Sequence, residues 1–473
     1  MDEYRLQRLR ERVVKGRIAP TLIYLAGPIV AARLLSSIQE SVDAIFLGRV
    51  STQDLAAPAA VWPLIWFFMG INFGITTTTV AVISQFVGAK RYNDASLAAG
   101  RLMSLSIALS AVSTATVILL GPLVFRLQAI PESVYPLSLA YLYIDAIGIP
   151  FSFIMFFFIM LSNSMGDTRT PFKLSVLAST LNIVLDPILI FGLGPLPKMG
   201  VVGAALATTI SRIVSGGVAL HLLISGYLGF RVVPRRPDQW IVRVTIRTGG
   251  PVAGQQILVS SGFLVMMSIV ARLGDVVMAS YNLSLAIIHI IQTGIWGFNA
   301  ATATMVGQAL GAGLTGRARR IASISLLIVG SMLSAGALAL YFLSSPVVGV
   351  FTDIPSVAEV STRMIKILSP GVPFLGVFFI AQGVARGSGH TGFMSLLGVA
   401  RLWILRIPTA YLLAFHMNMG DAGVWMSMTL SNMLAGATAA LWVVKGSWTT
   451  PIIKERRPGV EKEAKPAEAH VKA

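Results

Sequence analysis

The sequence predicts an all-α integral membrane protein whose twelve transmembrane helices form two pseudo-symmetric six-helix lobes. Three observations carry that prediction. The 473 residues are 55% hydrophobic and only 12% charged, about half the charged share of an ordinary soluble domain. Apolar runs of about eighteen residues or more recur from end to end, long enough to cross a ~30 Å hydrocarbon core. The two halves of the chain also repeat one another at a nearly constant offset.

Twelve spans are expected, at 20–48, 55–88, 97–125, 134–163, 171–193, 201–228, 250–272, 277–310, 321–350, 357–385, 392–416 and 421–447. An even number puts both ends on one side, and the positive-inside rule says which. The end-bearing side collects Arg5, Arg8, Arg10, Arg12, Lys15, Arg17, Lys90, Arg91, Arg101, Arg169 and Lys173. It also collects Arg231, Arg235, Arg236, Arg243, Arg247, Arg317, Arg319, Arg320 and Arg386. The other side holds Arg49, Arg126, Lys198, Arg272, Arg363 and Lys366. Both termini are therefore expected in the cytoplasm, with the protein multi-pass in a plasma or inner membrane. The net charge of +17 is topological on this reading, and no nucleic-acid partner is expected. The basic start MDEYRLQRLRERVVKGR runs into a long span without a small-residue cleavage site, so no removable signal peptide is expected.

The repeat is explicit. A shift of 223 carries Gly27-Pro28 to Gly250-Pro251, Arg49 to Arg272, Gly74 to Gly297 and Gln85 to Gln308. It also carries Gly88-Ala89 to Gly311-Ala312 and Pro150-Phe151 to Pro373-Phe374. A shift of 221 aligns Gly166, Thr170, Phe172 and Pro187 with Gly387, Thr391, Phe393 and Pro408. One of 220 aligns Met199-Gly200 and Gly203 with Met419-Gly420 and Gly423. Six spans per repeat make the lobes parallel, about an axis along the membrane normal. The expected division is a basic segment 1–19, an N-lobe 20–228, a cytoplasmic linker 229–247, a C-lobe 248–448 and a charged, disordered tail 449–473.

The chemistry should lie where the lobes differ. Asp43 aligns with Met266 and Asp186 with Ile407, so the buried acids belong to the N-lobe alone. A charge near mid-bilayer costs about 2.5–3.5 kcal/mol on insertion scales, so such residues face a cavity or a partner. Asn182 precedes Asp186 by one helical turn, and Pro187 removes a backbone donor beside it. These oxygens could exchange a proton, or Asp43, Asn182 and Asp186 could hold a sodium ion. The alternative is a packing ion pair with Arg33 or Arg212. Tyr141 and Asp145, one turn apart in span four, could join the cluster, as could Glu40 with Arg33, and Thr208 could donate a hydroxyl. Pro28 gives span one a point at which to bend and straighten. The C-lobe offers Arg401 and Arg406 instead, with Gln255 and Gln256 in span seven; the two arginines would suit anionic lipid-linked substrates. There is no cysteine, which removes disulfides, thiolate metal sites and thiol nucleophiles. The five histidines are scattered, without HExxH, GxSxG or P-loop spacing, so neither an enzyme nor a cofactor is expected.

Gly166-Asp-Thr-Arg-Thr-Pro171, Leu185-Asp-Pro187, ISQFVGAK at 83–90 and GVVGAALAT at 200–208 together resemble the MATE (multidrug and toxic compound extrusion) family. The resemblance covers residues 20–448 and lies nearest the DinF-like prokaryotic branch. It implies twelve helices in two lobes around a central cleft, and efflux of organic cations and drugs driven by inward H+ or Na+. It implies coupling at Asp43, Asn182 and Asp186, a bending Pro28, and lesser roles for Tyr141 and Thr208. The other bacterial branch carries a C-lobe acid, and none stands between Glu359 and Asp421 here. The expected partners are small-molecule drugs or organic cations and the lipid bilayer, with the protein a monomer. A lipid-linked oligosaccharide flippase of the wider superfamily is the alternative.

Overall fold

The computed structural model describes residues 3–194 and 197–455. Eleven of its helices are long and apolar enough to cross a membrane, and a twelfth span is a helix bent by 43°. Spans one to six run Ile18–Gly48, Thr52–Gly88, Tyr92–Leu127, Tyr135–Ser164, Arg169–Phe191 and Val201–Ser225. Span seven is Gln239–Ala271, and the bent span eight comprises Asp275–Ile290 and Gln292–Gly311. Spans nine to twelve are Thr315–Gly349, Pro355–Ser388, Thr391–His416 and Gly420–Lys445. No strand occurs among the described residues. A helix satisfies its backbone within one segment, which hydrocarbon demands.

Side chains punctuate the spans. At the start of span two, Ser51 Oγ accepts from Asp54 N at 3.0 Å. The Asp54 carboxylate in turn accepts from Val201 N, the first residue of span six, at 2.7 Å. Gly200 makes this approach feasible: its φ is +55°, and a Cβ there would lie 2.4 Å from Asp54 Oδ1. Span seven begins at Gln239, ahead of the expected 250, because Asp238 caps it by accepting from Ile241 N at 2.8 Å. Span one stays helical from Ile18 to Gly48 with Pro28 inside it.

The two lobes meet by backbone contact. Ideal Cβ atoms at Gly88 and Gly311 would fall 2.1 Å from Gln308 O and 1.9 Å from Gln85 O, so spans two and eight touch with no side chain between them. The two glutamines, which are repeat partners, reach across the same crossing. Gln85 Nε2 donates to Gly387 O and Ser388 O, both at 3.1 Å, and Gln308 Nε2 donates to Ser164 O at 2.9 Å. A second repeat-related pair of contacts sets Gly74 against Gly249 O and Gly297 against Ala26 O. These contacts hold spans of the two lobes together toward the end of the molecule that carries helix Glu3–Lys15.

Residues at both ends of the chain reinforce this junction. The N-terminal segment, expected only as a basic stretch, forms a helix, Glu3–Lys15. Leu6, Arg10, Val13 and Val14 line its buried face, the spacing of an amphipathic helix. Arg10 donates to Val87 O and Gly88 O, at 2.7 to 3.1 Å, where span two ends. Arg317 of span nine donates to Val13 O and Gly16 O at 3.0 and 2.5 Å. At the other end, Ile452 N donates to Gln85 Oε1 at 2.9 Å. Residues 456–473, most of the expected disordered tail, lie outside the described residues.

Gly311→Val is expected to lower stability by about 1–3 kcal/mol through overpacking at the crossing. Thermal unfolding of the purified protein in detergent checks this. An unchanged midpoint would contradict backbone contact between spans two and eight.

Candidate functional site

Spans one, five and six bring the N-lobe polar residues together. Asn182 and Asp186 are fully buried on span five, and Asp43 of span one is half-buried. The Asp43 and Asp186 carboxyls interact with each other across spans one and five. Asn182 Nδ2 donates to Asp186 Oδ1 at 3.5 Å and to Thr208 Oγ1 at 3.3 Å. Thr208 can stand so near because a Cβ at Gly203 would meet the Leu189 backbone at 2.5 Å; spans five and six pack with nothing between. Pro187, next in sequence to Asp186, lacks an N–H, so the carbonyl of Ile183 loses its helical donor.

Three oxygens here are buried and accept from no N–H or O–H donor: Asp43 Oδ1, Asp186 Oδ2 and Asn182 Oδ1. Buried acceptors in a folded protein are normally satisfied. A set made only of carboxyl and amide oxygens is suited to a proton or a hard cation such as Na+. No group of three His, Cys, Asp or Glu placed to hold a metal ion occurs among the described residues.

A second cluster adjoins the first. Asp145 is buried and forms an ion pair with Arg212 of span six. Gly148 makes room for the stem of that arginine, since a Cβ there would come within 3.3 Å of Arg212 Cδ. Tyr141 is buried, within electrostatic range of Asp145, Arg212, Asp43 and Asp186. Arg212 is thus spent on Asp145, and Asp43 and Asp186 have no ion pair among the described residues. Arg33 and Glu40 are exposed on span one with no ion pair between them among the described residues, and Glu40 lies within electrostatic range of Arg33 and Asp43. A groove of about 600 Å³ between spans seven and eleven is lined by residues such as Val265, Ile269, Pro408 and Leu412, and holds no acid.

In the C-lobe, Arg401 and Arg406 are buried, and both donate to Asn432 Oδ1 of span twelve, at 2.7 and 2.8 Å. Arg386, expected at the cytoplasmic end, lies between the lobes with its guanidinium over the Phe73 ring at 4.4 Å and the Trp296 ring at 5.9 Å.

The family model MatE matches this chain twice, at residues 28–188 and 251–412. The chain belongs to the MatE family. One match falls in each half of the repeat, and the family is one of membrane transporters rather than enzymes. This MatE chain is 25% identical to "Probable multidrug resistance protein YpnP" of Bacillus subtilis (strain 168), over 92% of this chain and 96% of that one. It is also 25% identical to "Probable multidrug resistance protein NorM" of Thermotoga maritima, over 91% and 93% of the two chains. The fold matches "Crystal structure of MATE in the bent conformation" with a TM-score of 0.87, at 21% identity, covering 95% of this chain and 99% of that one.

Sequence reasoning singled out the acids but not the division of labour between them. Asp145 takes the arginine and leaves Asp43 and Asp186 facing each other. A signal existed: the 220-residue offset aligns Ser211-Arg212 with Ser431-Asn432, marking Arg212 as a charge added to a shared scaffold position.

Arg212→Ala is expected to destabilise the protein by about 3–5 kcal/mol, because it strands the Asp145 charge. Removing both, in Arg212→Ala/Asp145→Ala, should recover most of that loss. Unfolding midpoints of the two variants measure it; a double variant no more stable than Arg212→Ala would contradict a stranded Asp145 charge.

Proposed function

We propose that this MatE protein is a secondary active multidrug efflux antiporter that exports organic cations and other xenobiotics in exchange for H+ or Na+. The observation that carries the reading is the trio of buried oxygens on Asp43, Asp186 and Asn182 that accept from no N–H or O–H donor. A carrier needs an ion site that can be empty or filled within the bilayer, and a permanently ion-paired acid would not serve. Two facing carboxylates repel one another, and a proton or sodium ion between them relieves that repulsion. Filling the site draws span one toward span five; emptying it releases span one. Pro28 deprives the Tyr24 carbonyl of its helical donor, so span one can answer by bending there. Thr208 and Tyr141 position the cluster, and Arg33 and Glu40 play no direct part in coupling.

On this reading the end that carries helix Glu3–Lys15 is closed and faces the cytoplasm, and substrate leaves toward the opposite side. The protein works as a monomer in the plasma or inner membrane, with a six-span lobe on each side of the linker near residues 229–247. The multidrug-resistance names of the relatives support the efflux reading over the flippase alternative.

In proteoliposomes, Asp43→Asn and Asp186→Asn are each expected to cut gradient-driven ethidium transport at least about tenfold, the factor that 1.4 kcal/mol represents. Glu40→Gln should retain most of it. Undiminished transport in both aspartate variants would sink the mechanism. Imposing a proton gradient without sodium, and then the reverse, identifies the coupling ion.

A second arm concerns span one. Pro28→Ala is expected to slow transport while leaving equilibrium binding of ethidium within about twofold of the unaltered protein, since the substitution restores a helical donor without touching the acids. Unchanged transport rates would remove Pro28 from the mechanism.

A further inference from the structure

The efflux mechanism makes no use of the C-lobe charges. Arg401 and Arg406 sit on a π-helical turn, Arg401–Arg406, of span eleven, with 9% and 4% of their surface exposed. Arg401 Nη1 and Arg406 Nη2 both donate to Asn432 Oδ1, and Arg406 Nε donates to Ser431 Oγ at 3.1 Å. Each guanidinium offers five N–H donors, yet the two converge on one amide oxygen and one hydroxyl. Arg401 Nε is buried with no acceptor at all. The Phe378 ring lies 5.0 Å beneath the Arg401 guanidinium; it favours the cation from its face and accepts nothing in the plane of the fork.

No carboxylate pairs with either arginine among the described residues. The chain from 360 to 420 contains none, and Asp421 is held by Arg363 at 2.7 Å. The repeat sharpens the anomaly. Asn432 stands where the N-lobe has Arg212, and Leu368 where it has Asp145. The N-lobe pairs its half-buried Arg212 with a buried acid, whereas the C-lobe buries two arginines without one. Charges at this depth are normally paired.

We propose that the missing counter-ion comes with the cargo: the C-lobe binds the oxyanion, carboxylate or phosphate, of a small organic substrate at the joint fork of Arg401 and Arg406. A planar guanidinium matches a carboxylate or phosphate edge through two parallel N–H bonds. Asn432 and Ser431 hold the forks in place, and the N-lobe acids are left to the coupling ion. The proposal rests on the efflux reading and adds a chemical class to its substrates.

The test uses the purified full-length protein in detergent and two matched pairs of ligands. Norfloxacin is compared with its ethyl ester, and riboflavin 5′-phosphate with riboflavin, by equilibrium dialysis. The member of at least one pair that bears the free carboxylate or phosphate should bind about tenfold tighter or better, and the responding pair distinguishes carboxylate from phosphate. In Arg401→Gln/Arg406→Gln the ratio should fall to near one; if that variant does not fold, Arg401→Gln alone should reduce it. Equal affinities within both pairs for the unaltered protein overturn the proposal, and so does a ratio that survives the substitutions. Ethidium transport by the unaltered protein tests the efflux reading separately. If it proceeds while the ratios are flat, only the anion site fails.

Discussion

Two glycines let the halves of this protein touch. At the crossing of spans two and eight, Gly88 and Gly311 bring the backbone of each helix against the other, with Gln85 and Gln308 hydrogen-bonded across it. Side chains between those helices would hold the lobes apart and leave the glutamines without their carbonyls. Small residues at helix crossings are how membrane proteins gain close packing where the hydrophobic effect gives no drive between helices. The remaining lobe contacts, Gly74 with Gly249 and Gly297 with Ala26, follow the same rule.

Around this symmetric frame the charges are distributed asymmetrically. Within each lobe the packing repeats: Gly216 meets the Phe151 carbonyl in one, and Gly436 meets the Phe374 carbonyl in the other. The same scaffold position carries Arg212 in the N-lobe and Asn432 in the C-lobe. Acids gather in the first lobe and arginines without acids in the second. Since the shared packing already accounts for the fold, the unshared charges are the part of the chain free to serve transport.

The fold was legible because lipid leaves so few options. Twelve apolar runs and a repeat of about 223 residues leave little besides two six-helix lobes, and the positions of Gly88 and Gly311 in that repeat foreshadow the crossing. Asp43, Asn182 and Asp186 could also be found, since acids in apolar spans stand out. Pairing was less legible. Arg212 had three acids within plausible reach, and Gly148 decides for Asp145 through a fit that exists only in three dimensions. The helix Glu3–Lys15 escaped notice because Arg10, one of its buried residues, reads in sequence as one more topological charge. Its burial depends on the carbonyls at the end of span two, which the local sequence does not reveal.

On the efflux reading the end that carries helix Glu3–Lys15 is a closed door, and it has a further property. Its ionic contacts there include Arg10 and Arg317 against backbone carbonyls. A guanidinium keeps its proton throughout the biological range, and a carbonyl has none to lose. These fastenings therefore hold equally in mildly acidic and mildly alkaline surroundings. Acidity leaves these two fastenings of the door untouched.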